Sequence, residues 1–273
     1  MADGTIGAGV STSVAQLLLR YLKVEGVRFV FGVPGGLLHP FFEAVENDAT
    51  LKLVVARHEG GAAFMADGYA RASGQMAVVA ATSGPGATNL LTGVAVAFAD
   101  GVPMIVVTGQ APSQSMGKGA AQEMTPEDID VVEMFRPVTK YSTMITAPGL
   151  FAHHFRRAVR LARSGRPGPV HLNVPVDLWP QAITSEEWFD PRTYRSSAKV
   201  FDRAQVQRAA AALAAARRPV FLVGSGAASA GARAELKKLA EALPARVATT
   251  PRGKGLFSEA NPLSLGVFGF AGH

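Results

Sequence analysis

Val14, Leu17, Leu18, Tyr21 and Leu22 recur at the three- and four-residue spacing that gathers them on one side of a helix. Thr12 or Ser13 stands in front as a cap and Gly26 behind as a stop. A short apolar run at 29–33 follows, and the pattern then repeats. Apolar runs at 51–56, 76–81 and 104–108 are separated by helical stretches at 59–72 and 87–99. A helix over 151–163 and a last run at 170–174 close the series. Short β-branched runs alternating with helices predict βαβ units. The expected fold class is α/β, a doubly wound parallel sheet covered on both faces.

Two stretches interrupt the rhythm. Residues 110–135 carry Gln110, Pro112, Gly117, Lys118, Gly119 and a string of acids from Glu123 to Glu133. A long irregular segment after a strand of such a sheet reads as a functional lid or interface loop. Residues 181–200 are polar, contain Pro191, Ser196 and Ser197, and read as a linker. The expected organisation is a flexible tail at 1–12, a domain at 13–180, the linker, and a second α/β domain begun at 201–273. That last part predicts a helix at 204–216, a strand at 219–223, the turn Gly224-Ser225-Gly226, a helix to 243 and a strand at 246–250. Two strands and two helices are fewer than a doubly wound sheet needs. The second domain is therefore expected to be truncated, and the chain to be a fragment or one half of a split system.

Composition removes whole classes. With 273 residues, 48% hydrophobic and only 18% charged, the chain can bury a core and is too apolar to be disordered. No run of 18 apolar residues occurs, so no membrane span is expected. The absence of cysteine excludes disulfides, thiolate catalysis and cysteine-bound metals, and with no signal-like start the cytoplasm is the expected compartment. The net charge of +6 raises the question of nucleic acid. Arg156, Arg157, Arg160, Arg163 and Arg166 lie at helical spacing beside Phe151, Phe155, Val159 and Leu161, which reads as the solvated face of an amphipathic helix. No aromatic-rich RNA motif accompanies them, and no nucleic-acid partner is expected.

The glycines carry the chemistry. Gly-x-Gly turns at Gly7, Gly84, Gly117 and Gly224 all lack the third glycine of the dinucleotide fingerprint, and neither a P-loop nor a His-Glu-x-x-His zinc motif occurs. Three other glycine-rich turns each follow an expected strand: Phe31-Gly-Val-Pro-Gly-Gly36, Arg57-His-Glu-Gly-Gly61 and Thr82-Ser-Gly-Pro-Gly-Ala-Thr-Asn89. On parallel strands they share one edge, where α/β sheets bind ligands. Glu59 opens a helix otherwise built of Ala62, Ala63, Phe64, Met65 and Ala66. It is either a first-turn carboxylate serving the helix amides or a carboxylate in an apolar cleft that shares a proton with a ligand nitrogen. His58 beside it reads as structural.

These residues resemble a family. Phe31 to Gly36, Arg57-His-Glu59, Ala66-Asp-Gly-Tyr-Ala-Arg71, Ala81 to Asn89, Val102-Pro, Thr108-Gly-Gln110, Gln122-Glu123, Gly165-Arg-Pro-Gly-Pro169 and Val174-Pro-Val-Asp177 are similar to the amino-terminal part of thiamine diphosphate enzymes of the acetolactate synthase group. The resemblance runs from Ser13 to Leu178, and Arg218-Pro-Val-Phe-Leu-Val-Gly224 resembles the start of that group's central domain. It implies that Glu59 hydrogen-bonds N1′ of the cofactor's aminopyrimidine. It implies that Val33, Pro34, Thr82, Pro85, Gly86 and Asn89 surround that ring, that Gly35 and Gly36 lie near the reacting carbons, and that Gln122 reaches toward the substrate.

The same resemblance implies a small 2-ketoacid substrate, transferase or lyase chemistry, and a homodimer or homotetramer with helices 59–72 and 87–99 buried between subunits. FAD is implied for some members, with Arg166, Gly224 and Gly226 at matching positions. Mg²⁺ and the diphosphate are held in this family by a Gly-Asp-Gly motif and a later asparagine in a carboxy-terminal domain. No such motif stands in this sequence, so no metal ligand is assigned and the chain alone is expected to be inactive. Ala121 and Val176 replace a phenylalanine and a lysine of acetolactate synthases, which puts their substrate specificity in question here. The competing reading is a catalytically silent, dimer-forming or regulatory module that lacks the metal half. A dinucleotide-binding protein unrelated to thiamine would need the fingerprint that is missing.

Overall fold

The computed structural model describes residues 11–183, 190–195, 201–228, 232–270 and 272. The chain divides into two compact units, Met1–Ser197 and Ala198–His273. The first begins with β1 (Thr12–Ser13), α1 (Val14–Val24), β2 (Phe29–Val33), α2 (His39–Glu46), β3 (Lys52–Val55) and α3 (Glu59–Ser73). It continues through β4 (Ala77–Ala81), α4 (Pro85–Asp100), β5 (Met104–Gln110), α5 (Val131–Phe135), β6 (Ser142–Met144), α6 (Phe151–Arg163) and β7 (Pro169–Pro175). β8 (Ala182–Ile183) returns to pair antiparallel with β1, and α7 (Pro191–Tyr194) follows.

Six strands form one sheet in the order β3-β2-β4-β5-β7-β6, every neighbouring pair parallel. β4 and β5 are buried along their whole length, which is why they read as unbroken apolar runs. Their side chains alternate between two cores. Val78, Ala80, Ile105 and Val107 point to the face covered by α1, α2 and α6, with Tyr21, Phe41, Phe155 and Trp179. Ala77, Val79, Ala81, Met104 and Val106 point to the face covered by α3, α4 and α5, with Ala62, Leu90, Val94 and Phe135.

Local signals set the helix ends. Ser13 caps α1 in a reciprocal box with Gln16, and Gly26 takes the left-handed φ of +79° that ends it. α3 and α4 approach so closely that a Cβ added at Gly93 would lie 2.5 Å from the Ala63 Cβ. A further tie fastens α7, which lies within the 181–200 stretch: the Tyr194 hydroxyl donates to Glu25 Oε1 at 2.7 Å and Arg195 Nε to the same oxygen at 3.0 Å.

The second unit contains α8 (Arg203–Ala215), β9 (Val220–Val223), α9 (Ala232–Ala242), β10 (Arg246–Thr249) and β11 (Ser264–Val267). The three strands are parallel in the order β11-β10-β9 over a small core of Val223, Ala240, Val247, Leu256 and Phe257. Two strands were expected; Ser-Leu-Gly-Val at β11 is too short and too interrupted by glycine to stand out as an apolar run.

Candidate functional site

Order along the sheet creates the crevice. The chain leaves β2 for β3 on one side, then crosses β2 to reach β4 and moves on to β5 on the other. The carboxyl ends of β2 and β4 therefore flank a topological switch point, the place where doubly wound sheets hold ligands. The turn after β2 carries Val33, Pro34, Gly35 and Gly36, and the turn after β4 carries Thr82 to Gly86. Next to β2, the end of β3 delivers Glu59 at the start of α3.

Contacts between these turns are closest at Gly35. A Cβ on Gly35 would fall 2.5 Å from the Thr82 Cβ, and the Thr82 Oγ1 accepts from the Leu37 backbone N–H at 3.3 Å, tying the two turns together. A Cβ on Gly86 would fall 2.8 Å from the Thr82 Cγ2 and 3.5 Å from the Glu59 Oε1. Gly86 thus packs against the Thr82 methyl and keeps a side chain away from one carboxylate oxygen.

Glu59 has a fixed partner on its other oxygen. Asn89, one turn into α4, donates its Nδ2 to the Glu59 Oε2 at 3.0 Å. Of the two roles open to Glu59, helix capping is filled in part by its neighbour: His58 is the cap of α3, its Nδ1 accepting from the Gly60 N–H at 3.0 Å. Glu59 is half-buried at the crevice, with Oε1 beside Gly86.

Gln122 reaches this edge from the long segment after β5. Its backbone holds φ at +57°, in the left-handed region unusual for a side chain of its type, and its Cγ lies 3.1 Å from where a Gly84 Cβ would be. Gly84 itself has φ at +63°. The Ser83 hydroxyl donates to the Gln122 carbonyl at 2.7 Å, and the Gly84 N–H to the Met124 sulfur at 3.1 Å. Gln110 at the end of β5 clamps Met124 from below, donating to its carbonyl at 2.7 Å and accepting from its N–H at 3.0 Å. Glu123 accepts from the N–H groups of Gly117 and Ala120 and from the Thr125 hydroxyl, and the Gly117 bond foremost holds its carboxyl below the usual range. The loop is therefore built rather than slack.

The structure brings together Glu59, Asn89, Thr82, Pro85, Gly86, Gly35 and Gln122 at one edge. Arg166 is elsewhere: its guanidinium caps the carboxyl end of α4 at the Ala99 carbonyl, packed on Gly101, at the opposite edge of the sheet. Gly224 and Gly226 follow β9 in the second unit, with the Thr250 Oγ1 3.8 Å from a Gly224 Cβ. Among the described residues no group of three His, Asp or Glu could hold a metal ion, and no helix is long and apolar enough to cross a membrane. Sequence reasoning passed over Gln110 and Ser83 in this role, because a buried polar residue in or beside an apolar run carries no periodic signal.

A doubly wound α/β domain with a carboxylate and close-packed glycines at its switch point belongs to the class that binds ligands in the crevice at the strand ends. Residues 12–134 match the family described as thiamine pyrophosphate enzyme, N-terminal TPP binding domain, and residues 206–273 match its central domain. The chain belongs to the thiamine pyrophosphate enzymes. It is 42% identical over 268 residues to a probable acetolactate synthase large subunit of Methanocaldococcus jannaschii, covering 94% of this chain and 43% of that protein. It is 35% identical over 271 residues to the acetolactate synthase isozyme 1 large subunit of Escherichia coli, covering 99% of this chain and 47% of the relative. The mitochondrial acetolactate synthase catalytic subunit of Saccharomyces cerevisiae is 38% identical over 273 residues, 96% of this chain and 39% of the relative. The chain thus spans less than half the length of these relatives.

Proposed function

We propose that this chain supplies the aminopyrimidine side of a thiamine diphosphate site in an acetolactate synthase-like enzyme acting on small 2-ketoacids. The observation that carries the proposal is the Glu59 carboxylate, held by Asn89 on one oxygen and left open beside Gly86 on the other. Oε1 has no hydrogen-bond partner among the described residues and glycine at 86 keeps a side chain from it, so the residues present fit a ligand nitrogen there.

Thiamine diphosphate, when bound, supplies the nucleophilic carbon and the electron sink for loss of carbon dioxide from a 2-ketoacid. Glu59 Oε1 would exchange a proton with the ring nitrogen, while the Asn89 amide holds Oε2 and fixes the carboxylate plane. Gly35, Gly36, Val33, Pro34, Thr82 and Pro85 form the wall of the crevice and admit close approach of the ring. Gln122, raised over Gly84, orients the 2-ketoacid from the loop side. Mg²⁺ and the diphosphate would be held by residues outside this chain, and the chain alone is proposed to be inactive. FAD remains a proposal resting on Gly224 and Gly226, since Arg166 is engaged at the end of α4.

Self-association through α3 and α4 is the proposed assembly, a dimer or a pair of dimers; Phe64 and Met65 on α3 are exposed apolar side chains available to it. The cytoplasm is the proposed compartment, in keeping with a cysteine-free sequence. The test is complementation with the remaining length of an acetolactate synthase large subunit, measuring carbon dioxide release from a 2-ketoacid. Activity that depends on thiamine diphosphate and disappears in Glu59→Gln is the expected result. Turnover unchanged by Glu59→Gln overturns the assignment, and self-association with no complementation would identify the silent module instead.

A further inference from the structure

α6 solvates its outer face in an unusual way. Its thirteen residues, Phe151–Arg163, contain Arg156, Arg157, Arg160 and Arg163, two histidines and no acid. Positions 156, 160 and 163 share one side of the helix, and 157 and 160 adjoin, so like charges stand where helices normally alternate sign. α9 of the same chain shows the ordinary arrangement, with Lys237 against Glu241 and Lys238 against Glu235. The apolar side of α6, Phe151, Ala152, Phe155, Ala158, Val159 and Ala162, is committed to the core; Arg156 reaches the Tyr21 hydroxyl at 3.5 Å and Arg163 the Glu25 carbonyl at 3.2 Å, which leaves Arg160 without a structural role.

Two adjoining clefts lie along those arginines. One, of about 380 Å³, is lined by His153, Arg156, Arg157, Arg160, Leu161 and Tyr194. The other, of about 220 Å³, is lined by Val159, Arg160, Arg163, Ser164 and Arg195. Arg160 belongs to both, and among the described residues no carboxylate lines either. Glu25, a buried acid, is ion-paired with both Arg163 and Arg195, so its single charge is shared between two arginines. The Arg160 guanidinium is exposed and has no hydrogen-bond or ion-pair partner among the described residues. Arg157 is held in place, its guanidinium 4.8 Å from the centre of the Tyr141 ring. The positive field is felt nearby: burial first, then His153 and Arg157, lower the pKa of His154.

We propose that the paired clefts on α6 are a binding site for a small anion with two linked phosphate groups, one in each cleft, with Arg160 bridging them. Planar guanidinium forks match phosphate oxygens in pairs, which a row of lysines would not do. The larger cleft is within the size range of small-molecule sites, roughly 300–1,000 Å³, and presents the Tyr194 and His153 rings to whatever the diphosphate carries. The same chemistry serves inorganic diphosphate and a nucleoside diphosphate. The site lies on a different element from the Glu59 crevice and does not depend on the proposed thiamine chemistry.

Calorimetric titration of the whole chain with inorganic pyrophosphate and, separately, with ADP tests it, at low and at physiological ionic strength. Saturable one-to-one binding of pyrophosphate is expected, weakened about tenfold or more in Arg160→Gln, an exposed substitution that keeps helix propensity. Arg156→Gln is the second variant, with the same expectation, and circular dichroism checks that both fold. Tighter binding of ADP identifies a nucleotide as the source; equal binding identifies the bare diphosphate; either supports the site. Absence of saturable binding by both anions overturns the proposal, as does binding that Arg160→Gln and Arg156→Gln leave intact. Capture of duplex DNA or an acidic protein, with neither small anion bound, also overturns it.

Discussion

Thr108 on β5 donates its hydroxyl proton to the His171 Nε2 on β7 across 2.8 Å, and this bond sets the direction of a buried chain of donors. Ser142 gives its own proton to the Val132 carbonyl, so it accepts from His171 Nδ1 at 2.9 Å, and Nε2 is left as the acceptor. Upstream, Asn173 Nδ2 donates to Thr108 Oγ1 at 2.9 Å, and Gln110 Nε2 to Asn173 Oδ1 at 3.2 Å. Thr108, Gln110, His171 and Asn173 are all fully buried, and Phe135 stacks on the imidazole with ring centres 4.1 Å apart. The chain ends at the clamp on Met124, so the sheet interior and the loop that carries Gln122 are one hydrogen-bonded unit.

An acid sensitivity follows. Burial holds the His171 imidazole neutral and lowers its pKa from the ordinary 6.5 to about 3. Between those values the unfolded chain binds the proton and the folded chain does not, so stability rises with pH there and is lost on acidification. The histidine alone should remove about 1.4 kcal/mol between pH 8 and pH 5.5. Urea titrations at the two pH values check this, and His171→Gln should flatten the dependence.

Gly35→Ala and Gly86→Ala should separate folding from ligand access. The first drives a Cβ to 2.5 Å from the Thr82 Cβ and is expected to cost about 1 to 3 kcal/mol of stability. The second meets the end of the Thr82 side chain, whose methyl can turn away, and narrows the space beside Glu59. Its stability loss should be smaller, and its loss of thiamine diphosphate binding in the complemented enzyme larger. Chemical denaturation and cofactor titration of both variants provide the comparison.

Gln122→Gly should stabilise the chain while impairing it. Left-handed backbone at a residue with a Cβ costs about 1 to 2 kcal/mol, part of which the glycine returns to unfolded-state entropy. A net gain of a few tenths to about 1 kcal/mol is expected in denaturant titration. If Gln122 orients the 2-ketoacid, KM in the complemented enzyme should rise at the same time.

Tyr194→Phe should loosen α7 from the first unit. It removes the hydroxyl donor to the buried Glu25 carboxylate and leaves Arg195 in place. A bond to a charged acceptor is worth about 1.5 to 3 kcal/mol, and because Arg195 remains the lower figure is expected in a denaturation curve.

Much of this was legible along the chain, for identifiable reasons. The run at 29–33 is β2 to the residue, and the helix at 151–163 is α6 to the residue, because strict periodicity and flanking glycine or proline mark both. The three glycine turns and Glu59 converge on one edge because the strands are parallel. What escaped were polar residues inside strands. β5 was expected to stop at 108 and runs to Gln110, because Gln110 and Asn173 satisfy each other and the Met124 backbone instead of facing water. β6 is Ser-Thr-Met, three residues without an apolar run, held by its pairing with β7. α2 carries Pro40 in its first turn, which is a helix start only once the chain before it has turned through Gly35 and Gly36.

The contact between Gly93 and Ala63 reaches beyond packing. With 2.5 Å between a hypothetical Cβ at 93 and the methyl at 63, bulk at one position can be added only if it is surrendered at the other. Lineages that drift away from glycine at 93 should show glycine at 63 in exchange, a reciprocal substitution visible across divergent sequences. That pair acts as a notch setting how far α3 can slide along α4, and so fixes the height at which Glu59 and Asn89 face each other.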